Sequence, residues 1–404
     1  MAGKDEGQLS PVLARSDHIS FVEGNTLYVW GGCRCVDGKE TFFPSDEILL
    51  YDMESGVWSQ RHMGGEVLPV LSQPCGAYLQ GVLYIFGGCV RNAYTNQMYC
   101  VDLSHGEYSW KKVTGTLGAT PSPRIRHSCW VHRNRLIYFG GYGCKTLSQI
   151  NNSKTFLLDE TSWATIGSEV FQFWGWNNEV YMFEPASATW TKPQTQGQSP
   201  DPRSSHASAT LGQKGYICGG LETQTIDIHC LDLTTWMWTK IDHHATHLPR
   251  GRTLHTLTAI SDHKLFLFGG LSTNGEVLSD GWEFDTVTKE WRERDHVHND
   301  KPRLWHSADN GRDGDVVVFG GSQTFIFLMD SVVALRSPAQ SHCGDVLLFQ
   351  TQPYSLSRLC EDCIGKHTFS VQEQVSWLPA KLQKTIGKRI SYFLDNAQNV
   401  YAAT

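Results

Sequence analysis

The sequence lacks a long hydrophobic run and an excess of positive charge, and each shortage excludes a class of protein. Its longest dense apolar stretch, residues 325–335, is broken by Asp330 and Ser331 and is too short to cross a bilayer. With 34 basic against 41 acidic residues, the net charge is −7, so neither membranes nor nucleic acids are expected partners. The polar first eleven residues contain no secretory signal. Twelve scattered cysteines therefore indicate reduced thiols in the cytoplasm, or also the nucleus, rather than a disulfide scaffold.

Glycine and aromatic residues are abundant, and they recur in order. Six apolar runs each end in a double glycine: Gly31-Gly32, Gly87-Gly88, Gly140-Gly141, Gly219-Gly220, Gly269-Gly270 and Gly320-Gly321. The successive intervals are 56, 53, 79, 50 and 51 residues. A period near 50 residues with this composition is typical of the kelch repeat, in which each repeat forms one blade of a β-propeller.

Further residues recur inside each repeat. A tryptophan follows a strand that ends near an aspartate, at Trp58, Trp110, Trp190, Trp238 and Trp291. An Arg-x-x-His motif precedes five of the runs, at Arg15/His18, Arg124/His127, Arg203/His206, Arg252/His255 and Arg303/His306. The second repeat has Ser72-Gln73-Pro74-Cys75 instead. We interpret the arginines and histidines as structural, because a catalytic residue rarely needs five copies. The tryptophans are expected to pack between adjacent sheets.

The repeats predict an all-β fold: a six-bladed kelch β-propeller over residues 12–352, with a disordered N-terminus at residues 1–11 and a short helical tail at residues 353–404. Strands buried between other blades should be continuously apolar, as these runs are. The interval of 79 residues is interpreted as a third blade interrupted by an insertion at residues 142–175. The N-terminus and residues 342–352 are expected to share a sheet, because a closed ring leaves no exposed edge. Residues 323–340 are unusually apolar for the loop expected there.

The tail carries two short patterns at helical spacing. Ser355 is placed to cap a helix whose apolar residues include Leu356, Cys360 and Ile364. This order of residue types fits a BC-box, which binds Elongin C. Leu378, Pro379, Leu382 and Ile386 fit a cullin box at a suitable distance downstream. Such apolar faces must either fold back on the propeller or form a docking surface.

The chain resembles the kelch-repeat substrate receptors of cullin-RING ubiquitin ligases over nearly its full length. The best matching segments include residues 140–144, 301–306 and 350–356. The resemblance implies a non-catalytic receptor that binds C-terminal degrons on one propeller face. It also implies that Elongin B/C connects the receptor to a cullin with its RING subunit. The tail pattern favours cullin-2, whereas the nearest resemblance favours cullin-5.

The resemblance also implies which residues contact the degron. The matching positions are Arg126, Tyr142, Trp176, Leu221, Thr253, Leu254 and Trp305. Two of these depart from the family: Leu254 stands where relatives have tryptophan, and the loop from Leu221 to Asp227 lacks the arginines that relatives use for the peptide carboxylate. Because arginine binds a carboxylate strongly, their loss should weaken binding of the peptide end.

Two other functions fit parts of the sequence. A plain kelch scaffold needs the propeller but not the tail. A copper-radical oxidase needs histidine, tyrosine and cysteine around the axis, which the repeated histidines do not supply. Cys360-x-x-Cys363 lacks the second pair of a zinc site, and His243, His244 and His247 are interpreted as an exposed loop. The sequence therefore predicts no metal and no cofactor.

Overall fold

The computed structural model describes residues 13–36, 39–150, 155–166, 170–220, 226–242, 247–325, 341–367 and 375–402. Within them, six antiparallel sheets form the blades of a β-propeller. The innermost strands of consecutive blades are neighbours, and the innermost strand of blade 6 lies beside that of blade 1. The ring is therefore closed, and the predicted six-bladed propeller is confirmed.

Each blade is a meander that runs outward from the axis. The strands are Ile19–Glu23, Thr26–Trp30, Glu47–Asp52 and Val57–His62 in blade 1; Cys75–Leu79, Val82–Phe86, Met98–Asp102 and Ser109–Lys112 in blade 2; and Ser128–His132, Arg135–Phe139, Val180–Glu184 and Thr189–Thr191 in blade 3. Blade 4 contains Ala207–Leu211, Lys214–Cys218, Ile228–Asp232 and Met237–Lys240; blade 5 contains Thr256–Ala259, Lys264–Phe268, Gly281–Asp285 and Glu290–Arg294; blade 6 contains Ser307–Asn310, Val316–Phe319 and Val346–Phe349. Short strands Gly64–Gly65 and Gln196–Gly197 extend the outer edges of blades 2 and 4 in parallel.

The core lies between neighbouring blades. The second strand of each blade is almost fully buried, and the outer tryptophan packs against the second strand of the preceding blade. Trp190 reaches Phe86 at 5.0 Å between ring centroids, and Trp58 reaches Phe319 of blade 6 at 4.9 Å. A single tryptophan thus covers much of five of the six junctions, as the sequence pattern predicted. At the sixth, between blades 5 and 6, Phe349 lies 4.6 Å from Phe268 between ring centroids.

The insertion in the third repeat forms a separate sheet beside blade 3. It contains Arg124–Ile125, Tyr142–Thr146, Phe156–Ile166 and Val170–Asn177, with the short helix α1 at Leu147–Ile150. Val180–Glu184 then returns to blade 3 and pairs with Arg135–Phe139. This arrangement confirms an interrupted third blade. Three further two-stranded sheets are Cys33–Val36 with Lys39–Phe42, Cys89–Val90 with Ala93–Tyr94, and Arg252–Thr253 with Leu271–Ser272.

The two ends of the propeller meet differently from the prediction. Val346–Phe349 pairs with Val316–Phe319 inside blade 6, and the first strand described belongs to blade 1. The Arg15 amide donates to the Cys343 carbonyl oxygen at 3.1 Å. The described ends are therefore joined by a backbone hydrogen bond rather than by a shared sheet. The predicted disordered N-terminus and most of residues 323–340 lie outside the described residues.

Two longer helices form the tail, α2 at Leu356–Lys366 and α3 at Ala380–Ala402. They pack on each other, and α3 also packs on blade 1. Lys388 Nζ lies 2.6 Å from Asp52 Oδ2, and the Tyr392 ring is so close to Gly56 that a Cβ there would approach it to 3.0 Å. In the part of the chain described, no helix is long and apolar enough to cross a membrane.

Candidate functional site

Five blades contain a buried arginine that binds their own double glycine. These guanidinium groups donate through Nη1 to the carbonyl oxygen of the first glycine at 2.8–3.1 Å. Four also pair with a carboxylate at 2.6–3.0 Å: Arg124 with Glu179, Arg203 with Asp227, Arg252 with Asp280 and Arg303 with Asp345. The fifth, Arg15, lies 3.8 Å from the centre of the Phe43 ring. Buried charges satisfied in this way support a structural role.

The histidines of the same motif fill the junctions between blades. A Cβ on Gly140 of blade 3 would meet Cε1 of His206 in blade 4 at 3.0 Å, and a Cβ on Gly220 would meet His206 Cβ at 2.8 Å. His18 closes the ring in the same way against Gly320 of blade 6. Burial, with the neighbouring arginine, lowers the pKa of His206 to about 3, so this imidazole is neutral near pH 7. Glycine is therefore needed at both positions of the double glycine in blades 3 to 6, where a histidine lies against each, and at one position in blades 1 and 2.

Blade 2 keeps this backbone arrangement without either side chain. Ser72 and Cys89 exchange two backbone hydrogen bonds, as the corresponding residues of blade 1 do. This register places Leu71 at the arginine position and Pro74 at the histidine position. Apart from its chain neighbours, no described atom lies within 4 Å of a Cβ built on Gly31, the glycine that a blade 2 histidine would cover. Gly31 is thus released from one steric constraint that the other blades impose.

The residue immediately before each histidine position has a left-handed backbone conformation. These six residues, which we call the axial ring, are Asp17, Gln73, Arg126, Ser205, Leu254 and Trp305, with φ between 54° and 59°. Backbone hydrogen bonds of 3.0–3.3 Å join five of them in order, from Asp17 to Trp305, Leu254, Ser205 and Arg126. Left-handed non-glycine residues are uncommon and cluster at functional sites. Each blade thus contributes a different kind of side chain to the axial ring, while the backbone conformation is the same in all six blades.

A cavity of about 940 Å³ opens over one side of the axial ring. Its apolar lining comprises Leu157, Trp176, Leu254, Leu271, Trp305 and Phe325. Hydroxyl and amide groups of Ser205, Thr253 and Asn274 lie in the same wall. This volume is in the range of about 300–1,000 Å³ that ligand pockets occupy, and apolar walls with a few polar groups are typical of them.

A second cavity, of about 450 Å³, adjoins the first and shares Arg126, Trp176 and Ser204 with it. Tyr142 contacts Trp176 edge-to-face at 5.3 Å between centroids and donates from its hydroxyl to Asp159 Oδ2 at 2.7 Å. Both rings belong to the insertion of the third repeat. That insertion therefore supplies a wall common to the two cavities.

Arg126 carries the accessible charge of this site. Its Nε donates to Gln73 Oε1 at 2.9 Å, and its two terminal nitrogens have no acceptor among the described residues. Arg252 also lines the larger cavity, but it is fully buried and pairs with Asp280. No acidic residue is among the described lining of either cavity. The arrangement can therefore bind a carboxylate beside an apolar group.

Asp17 is the acidic member of the axial ring. Burial raises the pKa of its carboxyl to about 6, while the nearby positive charge of Arg126 acts in the opposite direction. Glu40 adds a further negative charge that raises this pKa. Asp17 is therefore ionised near pH 7 and neutral near pH 5, and its charge acts on the Arg126 guanidinium.

The structure brings most of the sequence-predicted degron residues together. Arg126, Trp176, Thr253, Leu254 and Trp305 line the larger cavity. Tyr142 lines the adjoining smaller cavity, and Leu221 lies outside the described residues.

Sequence reasoning missed three members of the axial ring: Asp17, Gln73 and Ser205. A usable signal was present, because all three directly precede the histidine position of the repeated motif. Reading that one position across the six repeats would have selected the whole ring. Leu157 could not have been found in this way, because its place in the wall depends on the strand register of the insertion.

In the tail, α2 turns its polar side inward and its apolar side to solvent. Arg358 and Glu361 are each 6% exposed, whereas Leu356 is 77% and Leu359 51% exposed. Glu361 forms an ion pair with Arg312 of blade 6, with 3.1 Å between Glu361 Oε2 and Arg312 Nη2. The helix is thus held to the propeller through its polar residues.

The residues predicted to bind Elongin lie on or near this exposed side. Ser355 is the N-cap residue, and its Oγ accepts from the Arg358 amide at 3.2 Å, as predicted. Cys360 is exposed beside Leu356, and Ile364 is half-buried.

The residues predicted to bind a cullin are divided by the structure. Pro379 is exposed, Leu382 is 42% exposed and Leu378 is half-buried. Ile386 is 3% exposed, so its side chain faces inward and is not available on this surface. The spacing of four residues placed all three aliphatic residues on one helix face, but it could not indicate where the packing surface of α3 ends.

The minor metal-site candidates remain separate. Over the described ranges, no three histidine, cysteine or acidic side chains lie close enough to hold a metal ion. His247 contacts Glu293 at 2.9 Å, and His243 and His244 lie outside the described residues. Cys360 and Cys363 are both exposed on α2.

The closed ring of six blades, with a cavity over the axial ring, defines a kelch-type β-propeller, a class of domain that generally binds other proteins and is generally non-enzymatic. A family model described as the KLHDC2/KLHL20/DRC7 Kelch-repeats domain matches residues 17–270 and 172–321. The chain belongs to this kelch-repeat family.

Full-length relatives agree with this assignment. Kelch domain-containing protein 1 of Mus musculus is 42% identical over 384 residues, covering 94% of this chain and 91% of the relative. Kelch domain-containing protein 2 of Bos taurus is 33% identical over 400 residues, covering 96% and 93%. A solved structure titled "Structure of YjhT" matches with a TM-score of 0.57 at 15% identity, covering 84% of this chain and 95% of that one. The last similarity supports the fold alone.

Proposed function

We propose that this chain is the substrate-recognition subunit of a cullin-RING ubiquitin ligase. In this proposal the axial ring and its cavities bind the C-terminal degrons of target proteins. The tail binds Elongin B/C, which connects the chain to cullin-5 or cullin-2 with its RING subunit. The chain acts as a non-catalytic adaptor in the cytoplasm, or also in the nucleus.

The observation that carries the proposal is the orientation of α2. A helix that only covers a propeller should bury its apolar side and leave its charges in water. Here Leu356, Leu359 and Cys360 lie in solvent, while Arg358 and Glu361 are buried. A helix that is attached to the propeller by its polar side, with its apolar side exposed, is suited to insertion into a groove on a partner. Elongin C is the partner whose recognition pattern this face matches.

The attachment of the tail supports the same role. Lys388 lies 2.6 Å from Asp52 and 3.4 Å from Glu54 of blade 1, and Arg389 pairs with Asp362 of α2. Hydrogen bonding to Asp52 raises the pKa of Lys388, which keeps this amine charged. These contacts hold the adaptor surface in one orientation relative to the axial ring. A receptor needs such an arrangement if it is to present a bound protein to a ligase.

The cavity supports recognition of a chain end. A terminal carboxylate needs a cation, and Arg126 offers two terminal nitrogens beside an apolar wall. Arginine can hold a carboxylate through two parallel hydrogen bonds. In the described lining of the two cavities, Arg126 is the one accessible arginine, whereas the resemblance led us to expect two arginines in another loop.

The first test is binding of the purified full chain to recombinant Elongin B/C, measured by size-exclusion chromatography and calorimetry. We expect a stable complex, and we expect Leu356→Ala combined with Cys360→Ala to weaken it roughly 100-fold, because two central anchors are removed. Leu117→Ala, a variant at a 63% exposed leucine on the propeller, is the matched control and should bind normally. No complex, or a complex insensitive to the double substitution, would reject the adaptor role.

A kelch scaffold without ligase coupling is the second candidate. The ion pairs that hold the tail against blade 1 favour this candidate, because a tail that only covers the propeller is attached in the same way. It predicts that deletion of residues 353–404 leaves binding of propeller ligands unchanged and that Elongin B/C does not bind.

If Elongin B/C binds, titration with purified cullin-2 and cullin-5 decides between the two cullins. Substitution of the exposed Leu382 should then weaken cullin binding without affecting Elongin B/C.

A further inference from the structure

We infer that the peptides bound by this site end in a bulky apolar residue, with the terminal carboxylate at Arg126 and the last side chain against Leu254 and Trp305. This inference rests on the proposed function, because it specifies which chain ends the larger cavity binds. It is carried by one observation: the described lining of this cavity combines one accessible cation, Arg126, with several apolar side chains.

The carboxylate position follows from the charges. Arg126 lies in the described lining of both cavities, and its Nη1 and Nη2 have no acceptor among the described residues. Its Nε is bonded to Gln73 Oε1 at 2.9 Å, which fixes the direction of the guanidinium. An arginine held in this way loses little further freedom when it binds a carboxylate.

The side-chain position follows from the apolar lining of the cavity that Arg126 also lines. Leu254 and Trp305 are consecutive members of the axial ring, and the Trp305 amide donates to the Leu254 carbonyl oxygen at 3.3 Å. Phe325 lies against Trp305 at 5.7 Å between ring centroids, and Leu157 adds a side chain that is 54% exposed. These groups supply much of the apolar lining of the cavity that Arg126 also lines, and Ser205 lies between Arg126 and Leu254 in the axial ring.

The size of the cavity favours a large last residue. A peptide that ended in glycine would leave much of the 940 Å³ cavity, and its apolar wall, in contact with water. Burial of a leucine or phenylalanine side chain removes apolar surface from water on both partners, which corresponds to roughly 10- to 100-fold in affinity. The hydroxyl groups of Ser205 and Thr253 remain available for the peptide backbone.

The test uses pools of labelled decapeptides that are identical mixtures at nine positions and differ only in the last residue. Pools ending in leucine, phenylalanine or glycine are made as free acids and as amides, and a further amide pool contains one internal glutamate. Binding to the full chain is measured by fluorescence anisotropy. We expect the leucine and phenylalanine acids to bind roughly 10- to 100-fold more tightly than the glycine acid. We also expect them to bind at least about tenfold more tightly than any amide pool.

The outcomes separate this inference from the proposed function. If acids bind better than amides but the glycine acid binds as tightly as the leucine acid, the inference of a bulky apolar last residue is wrong. The proposed recognition of a chain end is then still supported. If acids and amides bind alike, recognition of a chain end is itself wrong. Tight binding of the glutamate amide pool would show that Arg126 selects an internal acidic residue, which also overturns the inference. No binding of any pool would reject both.

Two substitutions test the assigned positions. Leu254→Trp should fill the apolar site, so the leucine acid should lose at least about tenfold in affinity while the glycine acid changes little. Tryptophan is compatible with the backbone there, because Trp305 has the same left-handed conformation in the next blade. Arg126→Gln should remove the difference between acid and amide pools. Val287→Ala, at a 73% exposed turn of blade 5, is the control, and the thermal unfolding midpoint reports whether each variant is folded.

Discussion

The repeated Arg-x-x-His motif contains two kinds of position that behave oppositely. Its arginine and histidine are the same in five blades, and all ten side chains are less than 10% exposed. The residue directly before the histidine differs in all six blades and is half-buried at the cavity or beside it. Positions that repeat within the chain thus hold the blades together, and the position that varies lines the cavities or lies beside them. Repetition inside one sequence can separate structural from recognition residues.

The largest expected difference in stability is between substitutions at two positions of one motif, Arg203 and Ser205. Arg203→Met should lower the free energy of unfolding by about 3–5 kcal/mol, because it leaves the Asp227 carboxylate and the Gly219 carbonyl oxygen without the arginine that binds them at 2.7–3.0 Å. Ser205→Ala, two positions later, should change stability by less than about 0.5 kcal/mol. Urea denaturation followed by tryptophan fluorescence measures both.

The charge state of Asp227 sharpens this test. Burial alone would raise the pKa of this carboxyl, but hydrogen bonds from His229 and Arg203 hold it well below its ordinary value. In Arg203→Met part of that effect is lost, so the deficit in stability should be largest above pH 5, where the carboxylate is ionised. Equal destabilisation by Arg203→Met and Ser205→Ala would show that the two kinds of position do not differ.

A smaller difference in stability is expected between alanine substitutions at the first glycine of two double glycines, Gly219 in blade 4 and Gly31 in blade 1. Gly219 and Gly31 have φ of +64° and +68°, so alanine is strained at both by about 1–2 kcal/mol. At Gly219 the new Cβ would also lie 2.5 Å from the Arg252 carbonyl oxygen and 2.6 Å from His255 Cε1, which adds about 1–3 kcal/mol. At Gly31 it meets nothing described within 4 Å beyond its neighbours. Thermal unfolding should therefore show a clearly larger loss for Gly219→Ala.

Blade 2 is the reason for this difference, because it has Pro74 where the other blades have histidine. If Gly31→Ala proved as damaging as Gly219→Ala, the histidine would not be what requires glycine at this position. The double glycine would then be explained by backbone conformation alone.

The fold could be predicted because its signal is repeated. Six double glycines fix the blade number, and the interval of 79 residues without a further double glycine indicated a third blade interrupted by an insertion. The N-cap role of Ser355 was predictable from local backbone chemistry. The contact between Arg15 and Cys343 was not, because residues so far apart in sequence carry no local mark of how a ring closes. The buried position of Ile386 also depends on long-range packing.

The site was predictable only in part, for a related reason. Arg126, Leu254 and Trp305 were selected by resemblance, and Asp17, Gln73 and Ser205 were missed although they occupy the same position of the motif. Their shared feature is a left-handed backbone, which backbone hydrogen bonds to neighbouring blades hold in Asp17 and Ser205. Such bonds join residues that are 49 to 288 positions apart, so the ring exists only after the blades have assembled.

The smallest expected effect concerns the one acidic member of the ring. Burial raises the pKa of Asp17 to about 6, so its carboxyl is ionised at pH 7.5 and mostly protonated at pH 5.5. The ionised form competes with a ligand carboxylate for Arg126. A peptide carboxylate itself stays ionised over this range, because its ordinary pKa is about 3.3–3.7. The affinity for the tightest acid pool should therefore rise roughly three- to tenfold as the pH falls from 7.5 to 5.5.

Asp17→Asn gives the matched control for this pH dependence. It should bind at pH 7.5 about as tightly as the unmodified chain does at pH 5.5, and its affinity should change little with pH. The nearby histidines do not confuse the measurement, because burial lowers the pKa of His18 and His255 well below 6.5 and that of His306 to about 3. A pH dependence that persists in Asp17→Asn would place the titrating group elsewhere. Affinity that falls with acidification would show that Asp17 binds the ligand rather than competing with it, and the axial ring would then recognise a cation as well as a carboxylate.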